Sequence, residues 1–199
     1  MTTSEIHNIC EEYNIKNYTI NSDMSISVDG SVNLSYRNLK SIPIKFKEVG
    51  GDFYCYSNNL TLEYCPETVG GHFNCSDNQL TSLKYCPKTV GGDFSCSENQ
   101  LTSLEYCPET VGGHFNCGYN QLTNFDGLPE FFEQDIYLYG TPVFEIYCLF
   151  KNDPRCIYWI REFGVIQGGE VVRDRLEEVY HTLGMDIPKD IILKKYILV

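Results

Sequence analysis

A segment of about 20 residues occurs four times between Val49 and Leu128, and this repetition constrains the fold more than any other feature of the sequence. The copies read VGGDFYCYSNNLTLEYCP, VGGHFNCSDNQLTSLKYCP, VGGDFSCSENQLTSLEYCP and VGGHFNCGYNQLTNFDGLP, and they begin at Val49, Val69, Val90 and Val111. The starts are 20, 21 and 21 residues apart. A unit this short cannot bury its own apolar side, so consecutive units are expected to stack into a solenoid.

Each unit contains the pattern Phe-x-Cys-x-x-Asn-x-Leu, which predicts a short strand followed by a turn. The Phe and Cys alternate with polar residues and are expected to point inward. The Asn recurs at Asn58, Asn78, Asn99 and Asn120, where both ends of its amide are expected to bond the backbone of the next coil. The Gly-Gly and Cys-Pro steps oppose a helix on the return path, so the convex side is predicted to be strand-like or irregular.

Weaker copies extend the array at both ends. Counting back 21 residues from Phe53 reaches Val32, and counting forward from Phe115 reaches Ile136. We therefore predict an α/β-type solenoid of about six coils over residues 28–143, with a parallel sheet on its concave side. Residues 1–27 are predicted to form an N-terminal cap of one short helix and a strand. Asp29-Gly30 is a turn signal between two extended runs, so this strand is expected to belong to a hairpin that turns there.

Residues 144–199 are predicted to form a C-terminal helical cap followed by an apolar, β-prone tail. Helices are expected over VFEIYCLF, after Asp153-Pro154, and from near Val171 to Gly184. Two roles stay open for the tail, which spans residues 186–199. It packs against the cap, or it serves as an interface strand through which the protein forms an oligomer.

The acidity of the chain is confined to the solenoid. The net charge is −12, and residues 1–143 hold 7 Lys/Arg against 18 Asp/Glu, whereas residues 144–199 hold 8 against 9. An acidic surface disfavours nucleic acid and anionic membranes, and it favours a basic protein partner or simply solubility. No secretory h-region or long apolar run is seen, and most of the ten cysteines recur with the repeat. We expect a reducing, cytoplasmic location.

Residues 21 apart become neighbours in a stack, so surface positions form columns. One column alternates acid and imidazole through Asp52, His72, Asp93, His114 and Asp135, and it predicts a charge-paired ladder. Two further columns carry small polar residues in the middle and tyrosines at the ends, a residue type enriched in binding hot spots. Alternatively, these tyrosines merely cover the end coils. The predicted binding face comprises Tyr54, Tyr56, His72, Asn74, Asp93, His114, Asn116, Tyr119, Tyr137 and Tyr139.

We expect neither a metal nor a cofactor. His72 and His114 lie two coils apart and no third ligand converges on them, so the column does not suit a metal ion. Four sulfurs spread along one column are too far apart for one zinc, and core cysteine is the expected role. No P-loop, nucleophile elbow or zinc-protease motif occurs, which favours a non-enzymatic protein.

The repeat resembles the leucine-rich repeat, with Phe, Cys, Asn and Leu at the L-x-L-x-x-N-x-L positions. It is similar to the short bacterial and viral class, and its fuller phrase resembles repeat proteins of tailed phages and large DNA viruses. This resemblance implies protein recognition on the concave face, and a virus-encoded modulator of a host protein acting in the host cytoplasm. Cys in place of Leu on the strand departs from the pattern.

Two alternatives from other classes remain. Some bacterial effectors that carry repeats of this length have a ubiquitin-ligase domain after them, which implies a catalytic cysteine. Only Cys148 and Cys156 follow the array, with His181 as the single candidate base. The third reading is a structural virion or oligomer component built through the tail.

Overall fold

The computed structural model describes residues 1–129 and 134–199, and its repeats form a parallel β-solenoid of about five turns. Two six-stranded sheets face each other across the core. The first sheet contains, in spatial order, β1 (Tyr18–Ile20), β2 (Ile26–Val28), β4 (Phe46–Val49), β6 (Thr68–Val69), β8 (Thr89–Val90) and β10 (Thr110–Val111). The second contains, in chain order, β3 (Val32–Asn33), β5 (Phe53–Tyr54), β7 (Phe73–Asn74), β9 (Phe94–Ser95), β11 (Phe115–Asn116) and β12 (Ile136–Tyr137).

Each turn of the solenoid passes from one sheet to the other through its Gly-Gly step. The Thr-Val strand of the first sheet turns its valine inward and its threonine outward. Four residues after this valine the strand of the second sheet begins at a phenylalanine, which is again buried. The return side predicted as strand-like or irregular is therefore a second parallel sheet. The expected six coils become about five turns, because the first sheet has one parallel strand fewer than the second among the described residues.

The predicted neighbours are found side by side. Phe73 pairs in parallel register with Phe53 and with Phe94, and the Phe73 and Phe94 rings are stacked with centroids 5.7 Å apart. The cysteine column behind them is fully buried, as are most of the leucines that follow the turn. Burying a phenylalanine contributes about 1.5–3 kcal/mol, so the phenylalanine column is a main source of stability.

The asparagine column satisfies the backbone at the turn after each second-sheet strand. Asn99 Nδ2 donates to the carbonyls of Cys75, Cys96 and Ser97, and its Oδ1 accepts from the backbone N–H of Leu80 at 3.0 Å. Asn78 and Asn120 repeat this arrangement. Both amide ends therefore bond the preceding turn and not the next coil as predicted, because the side chain points back along the stack. Buried carbonyls that stacking alone would leave unpaired are bonded in this way.

The N-terminal segment contains helix α1 (Thr3–Glu12) and the β1–β2 hairpin. Thr2 caps the helix in a capping box with Glu5, and Ile6 and Cys10 are buried in the common core. The hairpin turn predicted at Asp29-Gly30 is wrong, because the chain reverses between Ile20 and Ile26. Asp23 Oδ1 accepts from the Ser25 backbone N–H and hydroxyl, which closes the turn locally.

The C-terminal segment contains three helices, as the sequence predicts. They are α2 (Phe144–Leu149), α3 (Arg155–Glu162) and α4 (Arg173–Leu183), and Gly184 ends α4 in a left-handed conformation. A small third sheet of β13 (Ile166–Gln167), β14 (Glu170–Val171) and β15 (Ile197–Leu198) was not predicted as a sheet. It forms because the β-prone tail returns and pairs in parallel with β14. The capping roles assigned to both ends stay predictions.

Candidate functional site

A shallow groove of about 400 Å³ follows the outer face of the second sheet. The groove runs across the strands, along the solenoid axis, because its residues are register neighbours from Tyr54 to Tyr137. Seven of the predicted binding residues line it, namely Tyr54, His72, Asn74, Asp93, His114, Asn116 and Tyr137. Phe73, Phe94 and Ser95 complete the lining.

Tyrosine clusters stand at both ends of the groove, and they include the predicted residues that do not line it. At the N-terminal end the Tyr56 ring lies 6.3 Å from Tyr54 and 5.2 Å from Tyr36. At the C-terminal end the Tyr139 ring lies 5.5 Å from Tyr119 and equally far from Phe144. The sequence prediction missed Tyr36, although it lies one period of 21 residues before Ser57, in the column of left-handed residues that also contains Tyr119. Each end therefore offers an aromatic surface with exposed hydroxyls.

The acid and imidazole column forms one edge of the groove, and its side chains bond the backbone of the following turn. Asp52 Oδ1 accepts from the His72 backbone N–H at 2.8 Å, His72 Nδ1 from that of Asp93 at 2.9 Å, and Asp93 Oδ1 from that of His114 at 2.8 Å. Ser31 Oγ begins the series by accepting from Asp52. The side chains of this column therefore accept hydrogen bonds from backbone N–H groups next to the Gly-Gly corner. The prediction that they form charge pairs along the whole column is wrong, since a His–Asp contact is found between His72 and Asp93 alone among the described residues.

His114 differs from His72 in its hydrogen bonding. Its Nδ1 is buried and has no hydrogen-bond partner among the described residues. The Tyr137 ring lies against the imidazole, with centroids 5.4 Å apart. The last histidine of the series therefore packs as an aromatic ring at the C-terminal end of the groove.

Asp93 carries the carboxylate that faces the middle of the groove. Its second oxygen, Oδ2, lies 3.3 Å from His72 Nδ1, and about half of its side chain is exposed. The corresponding oxygen of Asp52 is engaged, since it accepts from the Tyr54 hydroxyl at 3.0 Å. Burial, and secondly this bond to Asp52, raise the pKa of Tyr54 above its usual value. Tyr54 therefore stays a neutral donor, and Asp93 is the acidic group available to a ligand.

The floor of the groove presents amide donors and a hydroxyl cluster. Asn74 Oδ1 accepts from the Ser76 backbone N–H and Asn116 Oδ1 from that of Gly118, so both amides are held in place. Their Nδ2 groups donate to nothing among the described residues. Ser95 lies between them, and its hydroxyl is 2.7 Å from that of Ser76. The floor is thus polar, oriented and rich in donors.

The cysteine columns lie inside the solenoid and take no part in the groove. Cys75 and Cys96 are fully buried, and burial raises the pKa of both thiols well above the usual value. Burial likewise raises the pKa of Cys156 and of Cys148, with Asp153 and Glu145 as the second causes. No group of three or more His, Cys, Asp or Glu residues in the described ranges could hold a metal ion. Among the residues that the structure describes, no helix is long and apolar enough to cross a bilayer.

A second tyrosine column lies at the Cys-Pro corner and was not predicted as a surface feature. Tyr64, Tyr85 and Tyr106 are about half exposed and hold left-handed backbones, with φ of 73°, 71° and 68°. The fourth copy has Gly127 there, with φ of 84°. That glycine is the signal which could have revealed the left-handed position from sequence. These tyrosines lie outside the groove and provide matched controls for it.

No known protein family has a model that matches the chain, and neither curated proteins nor solved structures match it.

Proposed function

We propose that the protein is a non-enzymatic recognition module that binds a segment of a partner protein in this groove. The observation that carries the proposal is the groove's composition: a rigid, donor-rich floor with a tyrosine cluster at each end. Rigid surfaces that are ordered before binding lose little conformational entropy when a partner docks. Tyrosine supplies large contact area with a polar tip, which suits protein ligands.

We also infer that the solenoid is of the short leucine-rich repeat type. The Phe-x-Cys-x-x-Asn-x-Leu spacing and the asparagine that bonds the preceding turn support this assignment. The host-protein partner implied by the resemblance to phage and viral repeats stays a prediction, as does the cytoplasmic location. The raised pKa values of the thiols of Cys148 and Cys156 support a binding role over cysteine catalysis, which needs a low thiol pKa.

The oligomer alternative concerns the tail. Tyr196 is buried, and its hydroxyl donates to the Thr123 carbonyl at 2.7 Å. The Glu145 carboxylate accepts from the backbone N–H groups of Lys194 and Lys195. These contacts support the reading in which the tail packs against its own chain. An oligomer formed through the tail stays a prediction.

Selection of displayed random peptides on the immobilised protein tests the proposal. We expect enriched peptides whose affinity falls at least about tenfold on the protein carrying Tyr54→Ala and Tyr137→Ala, because each change removes an aromatic contact at one end. The matched control carries Tyr64→Ala and Tyr106→Ala, which removes two exposed tyrosines outside the groove. Equal binding to both folded double variants, or no enrichment at all, would contradict the proposal.

A further inference from the structure

We propose that the groove is built for a polyproline II segment with a basic residue at its centre and apolar or proline residues three positions away on each side. This inference rests on the proposed function and adds the conformation and chemistry of the ligand.

The spacing of the groove's features distinguishes the ligand conformation. Tyr54, Ser95 and Tyr137 occupy the first, third and fifth rows of the groove. Strands of a parallel sheet lie about 4.8 Å apart, so these rows are about 9.6 Å and 19.2 Å apart. A polyproline II helix rises about 3.1 Å per residue with three residues per turn, so residues i, i+3 and i+6 share one face at about 9.3 Å and 18.6 Å. The ligand repeat and the groove repeat therefore nearly coincide.

An extended β-strand does not fit the same features. Its side chains alternate between faces, so the groove would see residues i, i+2, i+4 and i+6, about 6.6 Å apart. A residue at the middle row would be i+3, which points away from the groove. The three features can be used together by a polyproline II segment and not by a strand.

The negative charge at the middle row of the groove determines which side chain is expected at the centre of the ligand. Asp93 lies in the same turn as Ser95, and both point outward because Phe94 between them is buried. Its Oδ2 lies 3.3 Å from His72 Nδ1, but that nitrogen already accepts from the Asp93 backbone N–H and so donates nothing to it. Oδ2 can therefore accept from a ligand, whereas the same oxygen of Asp52 already accepts from Tyr54. Residues 1–143 hold 7 Lys/Arg against 18 Asp/Glu, and this net negative charge attracts a cationic side chain to the groove. Lysine or arginine is therefore the expected central residue.

The floor donors suit the backbone of such a segment. Polyproline II has no internal hydrogen bonds, so all of its carbonyls seek donors. Asn74 and Asn116 occupy the second and fourth rows, again about 9.6 Å apart, and their Nδ2 groups are free among the described residues. Two carbonyls three residues apart can accept from them, while the prolines of the ligand pack on the tyrosine rings.

Fluorescence polarisation with synthetic peptides tests the inference. The probe is Gly-Pro-Pro-Pro-Arg-Pro-Pro-Pro-Gly, and the comparison peptides replace Arg by Glu, replace Arg by Gln, or replace the prolines by alternating Val and Thr. We expect the Arg-centred proline peptide to bind with Kd of about 100 μM or tighter, and the Glu-centred and Val/Thr peptides to bind at least about tenfold more weakly.

Variants assign the effect to the groove. Asp93→Asn keeps the acceptor for the His114 backbone N–H but removes the charge, so affinity is expected to fall about fivefold for the Arg peptide and to stay unchanged for the Gln peptide. Tyr54→Ala and Tyr137→Ala are each expected to weaken binding about tenfold, and Tyr85→Ala to leave it unchanged. Circular dichroism checks that each variant is folded.

Three outcomes would overturn the inference: no binding of the proline peptides, equal binding of the Arg and Glu peptides, or tighter binding of the Val/Thr peptide. If the peptides selected by display still depend on Tyr54 and Tyr137, the proposed function survives any of these. If display yields nothing and an oligosaccharide array instead shows binding that depends on those tyrosines, the proposed function falls as well.

Discussion

At the scale of single residues, asparagine and aspartate side chains bond backbone groups of adjacent turns, in addition to the bonds between the backbones themselves. A buried amide such as Asn99 makes four hydrogen bonds to backbone groups, three as donor and one as acceptor. Threonine or serine could not replace it, because a hydroxyl offers a single donor. The asparagine column was therefore predictable from sequence, since an asparagine at the same position of every unit supplies an amide donor and an amide acceptor at each turn.

Replacing Asn99 by alanine is expected to destabilise the protein by about 3 kcal/mol or more, because several buried backbone groups lose their partners together. Urea denaturation followed by circular dichroism measures the change. Gln100→Ala is the control, since this neighbour is exposed. A loss below about 1 kcal/mol for Asn99→Ala would show that water replaces the amide.

At the scale of the elements, the Gly-Gly corner sets how closely the turns stack. A Cβ on Gly70 would overlap the carbonyl oxygen of Gly50, and one on Gly91 would overlap that of Gly70. The corner at Gly50 faces the N-terminal hairpin instead, where a Cβ would meet nothing nearer than the Val28 carbonyl oxygen at 3.6 Å. The glycines at positions 70 and 91 are thus required by the close approach of the backbone of the preceding turn.

This difference predicts that alanine at equivalent glycines of two repeats changes the unfolding free energy by different amounts. Gly70→Ala is expected to cost about 3 kcal/mol of unfolding free energy, because two packed backbones have to separate. Gly50→Ala is expected to change stability by less than about 1 kcal/mol. Thermal and urea unfolding of both variants provide the comparison. Similar losses would contradict the corner geometry.

Several elements could be predicted from the sequence, and others depend on contacts that the sequence does not display. The register from Phe53 to Phe115 follows from the period, because each unit has the same neighbours. The hairpin turn was placed at the stronger signal, Asp29-Gly30, although the local bonds of Asp23 close the chain earlier. In the groove, the tyrosines and the Asp/His column were visible as periodic positions. The capping of backbone N–H groups by that column depends on the corner's geometry and was not.

At the scale of the whole molecule, the tail ties the C-terminal segment to the last described turns. Tyr196, in the tail, donates to the Thr123 carbonyl, and Arg161, in α3, donates to that of Leu128. Within the C-terminal segment, Tyr180 donates to the Leu149 carbonyl. Burial, and secondly the nearby Glu145, raise the pKa of Tyr196 above its usual value, while burial raises that of Tyr180 to about 12. These phenols are protonated in the folded protein and act as donors.

The raised pKa values predict alkaline sensitivity. A phenol whose pKa is higher in the folded than in the unfolded state stabilises fully below the unfolded value of about 10, and this contribution is lost as pH rises above it. Tyr196→Phe is therefore expected to lose less stability than the wild type between about pH 8 and about pH 10.5. Urea unfolding at both pH values measures this. Tyr158→Phe, at an exposed tyrosine, should match the wild type, and equal losses in all three proteins would contradict the prediction.

The two side-chain series point in opposite directions along the array. Asparagine reaches back to the turn before it, and the edge aspartates and histidine accept from the turn after it. An internal turn is consequently bonded to the turns on both sides, and it cannot open without breaking side-chain hydrogen bonds to both of them. We therefore expect an internal turn to unfold together with its neighbours instead of alone, so that a local lesion also weakens the turns on each side of it.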